Sequence, residues 1–300
     1  MQELDLLRVA IAIIFFVYAS VSDWRTRKVK DKTWVTLGTI ALMILAMDLV
    51  LKDAPLIAFS LLLPIAFLFY DIFWDREKEL NKPTGLLGVI LYVAAFGWMV
   101  YIGYTIVTGS TEWTEEINGP FIAFFVMVLF EMLYMFDIIK GGADAKAVIS
   151  IAILFPWYPA IASGLPMIVP GLEGVLTFFP FALSVLFIGA VVSIFLPLYF
   201  LMKNVRAREK ISGRSFIGFK MPVNEVEKHF VWLIEWVDEG KPKFSARKPR
   251  ESETLKSDLS ALKALGMKEV WVTYKIPFII PLTIAIIVVL ILGNPLFALY

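Results

Sequence analysis

The residues best placed to do chemistry in this chain are carboxylates set in or at the ends of long apolar runs: Asp23, Asp48, Asp71, Asp75, Glu131, Asp137 and Asp144. Charge in such runs is costly to keep and marks a functional group by default. Composition closes off the other common chemistries. The sequence has no cysteine and a single histidine, His229. Thiolate nucleophiles, cysteine zinc sites, His-based metalloprotease motifs and Ser-His triads are therefore excluded. Gly213-Arg214-Ser215-Phe216-Ile217 misses a GxSxG elbow at its last position and has no histidine nearby. What remains is carboxylates, hydroxyls, Lys and Arg side chains, and backbone.

Asp144 has the most distinctive frame, Lys140-Gly141-Gly142-Ala143-Asp144-Ala145-Lys146. Two glycines permit backbone conformations closed to other residues, and the aspartate then starts a helix. Taken alone, it reads as an N-cap after a tight turn. Asp23 stands beside Arg25, Arg27, Lys28, Lys30 and Lys32 and reads alone as a surface ion-pair partner. Both fall on the same side of the apolar pattern, which is the geometry a two-carboxylate site needs. Asp48 is expected near the opposite side and solvated. Asp71 and Asp75 are four apart at the end of the third run, and Glu131 and Asp137 lie in the fifth.

The elements that must position these groups are membrane helices. Of 300 residues 59% are hydrophobic and 18% charged, against about 25% charged in a soluble domain, and the mean hydropathy is +0.77. The apolar residues come in blocks at 5–22, 33–51, 55–75, 86–108, 119–138, 144–162, 175–202 and 276–298, most near the ~20 residues that cross a bilayer. The sixth stops its clean run at Pro156 and must be kinked, re-entrant or sheltered. The expected fold is an all-α polytopic membrane protein of about eight transmembrane helices. In that arrangement all of the 28 Lys and Arg residues except Arg8 and Lys52 fall on one side. The positive-inside rule makes that side cytoplasmic, with Asp23 and Asp144 on it.

Three regions follow: a membrane domain over 1–202, a cytoplasmic soluble subdomain over 203–275, and a final transmembrane helix over 276–300. Within the soluble part SFIGFKM alternates as a strand, and Asn224 with Glu227 predicts a cap opening a helix with the stripe Val226, Phe230, Leu233, Ile234 and Val237. EGKPKFSARKPRESE reads as a charged linker, LKSDLSALKALG as a helix ended by Gly266, and EVWVTY as a strand. The subdomain is thus expected to be a small α+β appendage. A net charge of +1 gives no global pointer to nucleic acid, and membrane lipid is the expected surrounding.

Two segments together resemble a known family. Gly141, Gly142, Ala143, Asp144 and Lys146 are similar to the GxGD-type signature of type IV prepilin peptidases and archaeal preflagellin peptidases, with Ala143 in place of the second glycine. Ser20, Asp23, Arg25, Arg27 and Val29 resemble the segment that carries the family's first catalytic aspartate, and VWVTYKIPFIIPLTIAI resembles the tail of its archaeal branch. The resemblance implies a membrane aspartyl endopeptidase with Asp23 and Asp144 as the catalytic dyad and Gly141, Gly142, Ala143 and Lys146 in support. It implies no metal and no organic cofactor, pilin-like or archaeal flagellin precursors as partners, and a multi-pass protein of the cell membrane with its site facing the cytoplasm. The runs 55–75 and 86–108 are additional to the family's six-helix core. Tyr70-Asp71 resembles the YD motif of presenilin-like proteases, but two further runs separate it from Asp144 and the final run has no PAL motif. Glu131, Asp137 and Asp71 with a broken sixth span also fit the alternative of a cation-coupled transporter or channel.

Overall fold

A computed structural model of the protein describes residues 2–73, 83–136, 141–167, 179–245, 254–275 and 277–294. Every apolar block forms helix, in the order α1 (Gln2–Thr26), α2 (Asp31–Leu51), α3 (Leu56–Ser60) with α4 (Leu62–Asp71), α5 (Pro83–Val107), α6 (Glu115–Met135), α7 (Gly142–Leu154), α8 (Phe181–Ser193) with α9 (Phe195–Arg206), and later α11 (Ile279–Leu292). Among the described residues, five stretches are long and apolar enough to cross a membrane: α1, α2, Leu86–Val107, α6 and Phe181–Arg206. Leu56–Asp71 and α11 are apolar but shorter. The protein is thus a mostly helical, multi-pass membrane protein, with five such helices among the described residues against the about eight spans expected.

The third run is one helix in the sequence but two in the structure, broken between Ser60 and Leu62. The sixth run is short, as its prolines suggest: α7 has 13 residues, a rise of about 20 Å. It survives because it is sheltered, with Ala145 and every residue from Ala147 to Leu154 buried.

The chain divides into two compact units, residues 1–189 with 278–300, and residues 190–277. In the first, α7 packs against α2 and α6, and α1 against α2 and α11. Trp34 and Phe16, both fully buried, meet edge to face with ring centroids 5.6 Å apart at the α1–α2 contact. Apolar side chains on the outside of this unit, such as Ile14 and Tyr18 on α1 and Val93 and Val100 on α5, are exposed, as lipid-facing residues are.

In the second unit a three-stranded antiparallel sheet has the order β1 (Phe219–Pro222), β5 (Glu269–Tyr274), β2 (Val231–Leu233). A hairpin of β3 (Glu235–Asp238) and β4 (Lys241–Phe244) and the helix α10 (Leu255–Ala264) complete it. The core includes Phe200, Phe219, Val226, Leu259, Leu262 and Val272. The strand EVWVTY and the helix ended by Gly266, whose φ is +77°, form as their patterns predict.

The strand expected over SFIGFKM forms only from Phe219, after a 3-10 turn over Gly213–Phe216, and two further expectations in this unit fail. No helix opens at Asn224. Only a 3-10 turn over Val226–Lys228 forms, and Val231 and Leu233 then pair with Tyr274 and Val272 of β5. Cross-strand pairing outweighs a weak helical stripe, and Phe230, which the stripe would bury, is exposed. The charged linker also begins too early: Lys241–Phe244 is β4, turned back on β3 by Glu239 and Gly240, which are both left-handed at φ +49° and +74°, as a two-residue hairpin turn requires.

Candidate active site

Asp23 sits in the last turn of α1. The helix stops there because Arg27 takes a left-handed φ of +55° while its amide still bonds the Asp23 carbonyl at 2.9 Å, an αL-type stop. Ser22 and Thr26 hydroxyls both donate to the Lys28 carbonyl, at 2.9 and 3.0 Å, and fix the turn into α2. A carboxylate at a helix C-terminus faces the negative end of the dipole, so its position must be held by something else. The holder is α11. The backbone N–H of Ile279, the first residue of α11 and an otherwise orphan donor, acts as a hydrogen bond on the Asp23 carboxylate. One turn away, the Ser20 and Thr283 hydroxyls meet at 2.7 Å, and Thr283 also donates to the Ile279 carbonyl at 2.8 Å. This seam joins α1 to α11 directly beside Asp23.

Asp144 comes from the start of α7. It is not the N-cap: that position is Gly141, and Asp144 is the third helical residue, with its amide bonded to the Gly141 carbonyl at 2.9 Å. The glycines are required for space and not for conformation. Gly141 has an ordinary φ of −95°, and neither it nor Gly142 is left-handed. A Cβ on Gly141 would collide with Oδ2 and Cγ of Asp144 itself, and one on Gly142 would lie 3.3 Å from the Tyr134 ring and hydroxyl. The backbone of the double glycine is thus a close wall on one side of the carboxyl. Ala143 continues the first turn with its methyl only half-buried.

The two aspartates act on one another. Burial is the first influence on the Asp144 carboxyl, and the charge of Asp23 is the second. Asp23 is half-buried and also lies in the field of Arg27. Among the described residues, Asp144 makes no ion pair. Lys146 is engaged elsewhere: its Nζ is 2.6 Å from Oδ1 of Asp31, the first residue of α2, and 4.8 Å from the centroid of the Phe73 ring. It ties α7 to α2 and so sets the depth of Asp144. Tyr134, Thr283 and the Ile279 amide carried no sequence signal. Only the Ile279–Thr283 spacing of four could have placed the last two on one face of one helix.

The remaining carboxylates go elsewhere. Asp71 accepts the Tyr92 hydroxyl at 2.5 Å, and Tyr92 also reaches Glu131 at 3.1 Å, so these belong to a contact among α4, α5 and α6. Tyr70 bonds Thr39 at 2.9 Å. Asp48 is not solvated as expected. It is buried at 2% exposure with Arg8 Nη2 2.7 Å away, because the α1–α2 contact covers both. Asp75 and Asp137 lie outside the described residues. Among the described residues, no three His, Cys, Asp or Glu side chains converge as a metal-binding group.

Residues 214–294 match the family described as archaeal peptidase A24 C-terminus, type II. The chain is also 26% identical over 244 residues, 79% of its length and 94% of the relative's, to the preflagellin peptidase of Methanocaldococcus jannaschii. Both findings support a relationship to the peptidase A24 family.

Proposed function

We propose that this chain is an aspartyl endopeptidase of the A24 family that removes the basic leader of preflagellin- or pilin-like precursors, with Asp23 and Asp144 as its dyad. The observation that carries the reading is that the charge of Asp23 acts on the Asp144 carboxyl, the two being brought from different ends of two helices. Two carboxyls in each other's field share a proton more readily than both ionise. The ionised one takes a proton from a water, and the resulting hydroxide forms a bond to the scissile carbonyl carbon. The protonated one gives its proton to the carbonyl oxygen. When the tetrahedral intermediate collapses, the C–N bond breaks and the amine leaves with a proton returned by the dyad. The pair titrates as a unit. The close wall of Gly141 and Gly142 leaves room for a substrate backbone beside Asp144.

The orientation of the site follows from charge. Arg25, Arg27, Lys28, Lys30 and Lys32 cluster at the Asp23 end of α1 and α2, which favours the cytoplasmic side for that end. A precursor whose basic leader precedes an apolar helix presents its junction at that depth. This alternation requires eight crossings, three of them short: α3 with α4, α7 and α11. Cation-coupled transport is not favoured, since the relatives are peptidases.

The test is cleavage of a preflagellin-type precursor in membranes by wild type, Asp23→Ala and Asp144→Ala. Loss of the product in both variants supports the dyad. Wild-type rates in both variants would remove it, and no cleavage by wild type would remove the substrate.

A further inference from the structure

The compact unit 190–277 carries a surface that neither the dyad nor the family match explains. Its first element, α9, is the end of the candidate span Phe181–Arg206. On α9, Leu198, Met202 and Val205 are exposed and share one face by their spacing of four and three. The chain then runs through 207–217, where Ile211, Phe216 and Ile217 are 59%, 41% and 37% exposed. Arg206, Arg208, Lys210 and Arg214 are exposed between them. The one acid in this stretch, Glu209, is engaged by Lys220 at 2.6 Å.

This segment is built, not loose. The Asn204 side chain, 1% exposed, donates to the carbonyls of Phe200, Ser215 and Gly218 at 2.9, 3.0 and 2.8 Å. Ser215 is fully buried and closes a reciprocal capping box with Ser212 around the 3-10 turn Gly213–Phe216. A buried asparagine thus holds a loop whose apolar side chains point out, the reverse of what folding alone favours.

We infer that residues 206–217 are an interfacial anchor that lays this unit on the headgroup layer of anionic phospholipid. Apolar side chains enter the acyl boundary while arginine and lysine neutralise lipid phosphates, the division of labour of an interfacial element. Charge complementarity selects anionic lipid over a zwitterionic surface. The segment follows directly in the chain on α9, whose exposed apolar face belongs to the candidate span. The inference does not depend on the peptidase reading.

The absence of cysteine makes the test direct. Ile211→Cys and Phe216→Cys in the full chain, with Lys256→Cys on α10 as control, are labelled with an environment-sensitive fluorophore. Each is reconstituted in phosphatidylcholine vesicles with and without phosphatidylglycerol. The labels at 211 and 216 are quenched by nitroxide lipids labelled at the headgroup or shallow in the chain, more strongly with phosphatidylglycerol, and the label at 256 is not. Glutamine at Arg208, Lys210 or Arg214 lowers the docked-to-undocked ratio roughly fivefold per cation removed. Labels at 211 and 216 that stay as water-exposed as the control in both lipids would overturn the anchor. Protection that follows protein density and not lipid charge would overturn it as well, in favour of a contact between copies.

Discussion

The helical unit 1–189 with 278–300 has two polar ends, and they are built on opposite principles. At one end the N-terminus of α1, the C-terminus of α2 and the N-terminus of α6 meet in a clasp. Arg8 Nη2 lies 2.7 Å from Asp48 and Arg8 Nη1 3.0 Å from Asp5. Lys52 stands 3.9 Å from both Asp48 and Glu115 and 3.7 Å from the centroid of the Trp157 ring, whose indole N–H donates to the Glu115 carbonyl at 2.9 Å. Each acid there has a base. At the other end the charge of Asp23 bears on the Asp144 carboxyl, and Lys146 is engaged by Asp31. Buried charge that is neutralised holds helices together; buried charge set against like charge is strain kept for chemistry. On the proposed reading, the comparison sets a structural acid, Asp48, against a reactive one, Asp144, although both lie in apolar runs.

The largest effect that tests this contrast is at the reactive end. Asp144→Asn should lower cleavage by about 10²–10⁴-fold, the usual worth of a general acid or base, with no loss of thermal stability. Activity in the wild type should fall on both sides of an optimum. At low pH both carboxyls hold protons and no base remains; at high pH both are ionised and no acid remains. Initial rates across pH, beside melting curves in detergent, check both parts. A variant that melts earlier and cleaves normally would assign Asp144 to structure.

At the clasp the signs reverse. Asp48→Leu leaves Arg8 buried without its closest partner, a loss of about 3–5 kcal/mol, while the folded fraction cleaves as wild type. Arg8→Met combined with Asp48→Leu should recover much of that stability, since an apolar pair in place of a buried ion pair is often neutral. A double-mutant cycle on thermal denaturation measures the coupling. Additive losses would mean that the two charges do not act as a pair.

The contrast between the ends was only half legible in the sequence. The apolar blocks, the short sixth helix and the position of Asp23 and Asp144 near helix ends follow from hydropathy, proline and glycine. The compensation of Asp48 was not visible, because Arg8 lies 40 residues away and reaches it only when α1 packs on α2. The role of the double glycine was misread for a related reason. Conformational freedom can be inferred from residue type, whereas the nearness of the Gly141 backbone to the Asp144 carboxyl exists only in the fold. In the unit 190–277, the apolar stripe of Val226 to Val237 has the wrong period for its fold because its partner, β5, comes more than thirty residues later.

Gly141→Ala sharpens the reactive end more gently than loss of an aspartate. The added methyl meets the Asp144 carboxyl in the same turn and must push it off its rotamer, at about 0.5–1.5 kcal/mol for the side chain alone. The rate should fall by roughly tenfold through kcat with KM little changed, as misplacement of a reacting group does. Gly142→Ala, whose methyl meets the Tyr134 hydroxyl at 3.3 Å, should cost less, because Tyr134 is exposed and can shift. Steady-state kinetics of the two variants rank them, and the reverse order would place the wall on Tyr134.

The smallest effect lies in the seam that holds Asp23. Thr283 keeps two backbone acceptors, the carbonyls of Phe16 at 3.3 Å and Ile279 at 2.8 Å, so Ser20→Ala deprives it of little. Thr283→Val instead leaves Ser20 without its partner among the described residues. An interhelical hydrogen bond in a membrane protein is worth about 0.6 kcal/mol, roughly threefold in an equilibrium. Thr283→Val should therefore lower the cleavage rate by about threefold, Ser20→Ala by less, and the double variant no further than Thr283→Val alone, since the two hydroxyls serve one bond. A hundredfold loss at Ser20 would show that its hydroxyl touches the reacting groups, and the line between the reactive pair and its supports would have to be redrawn one turn down α1.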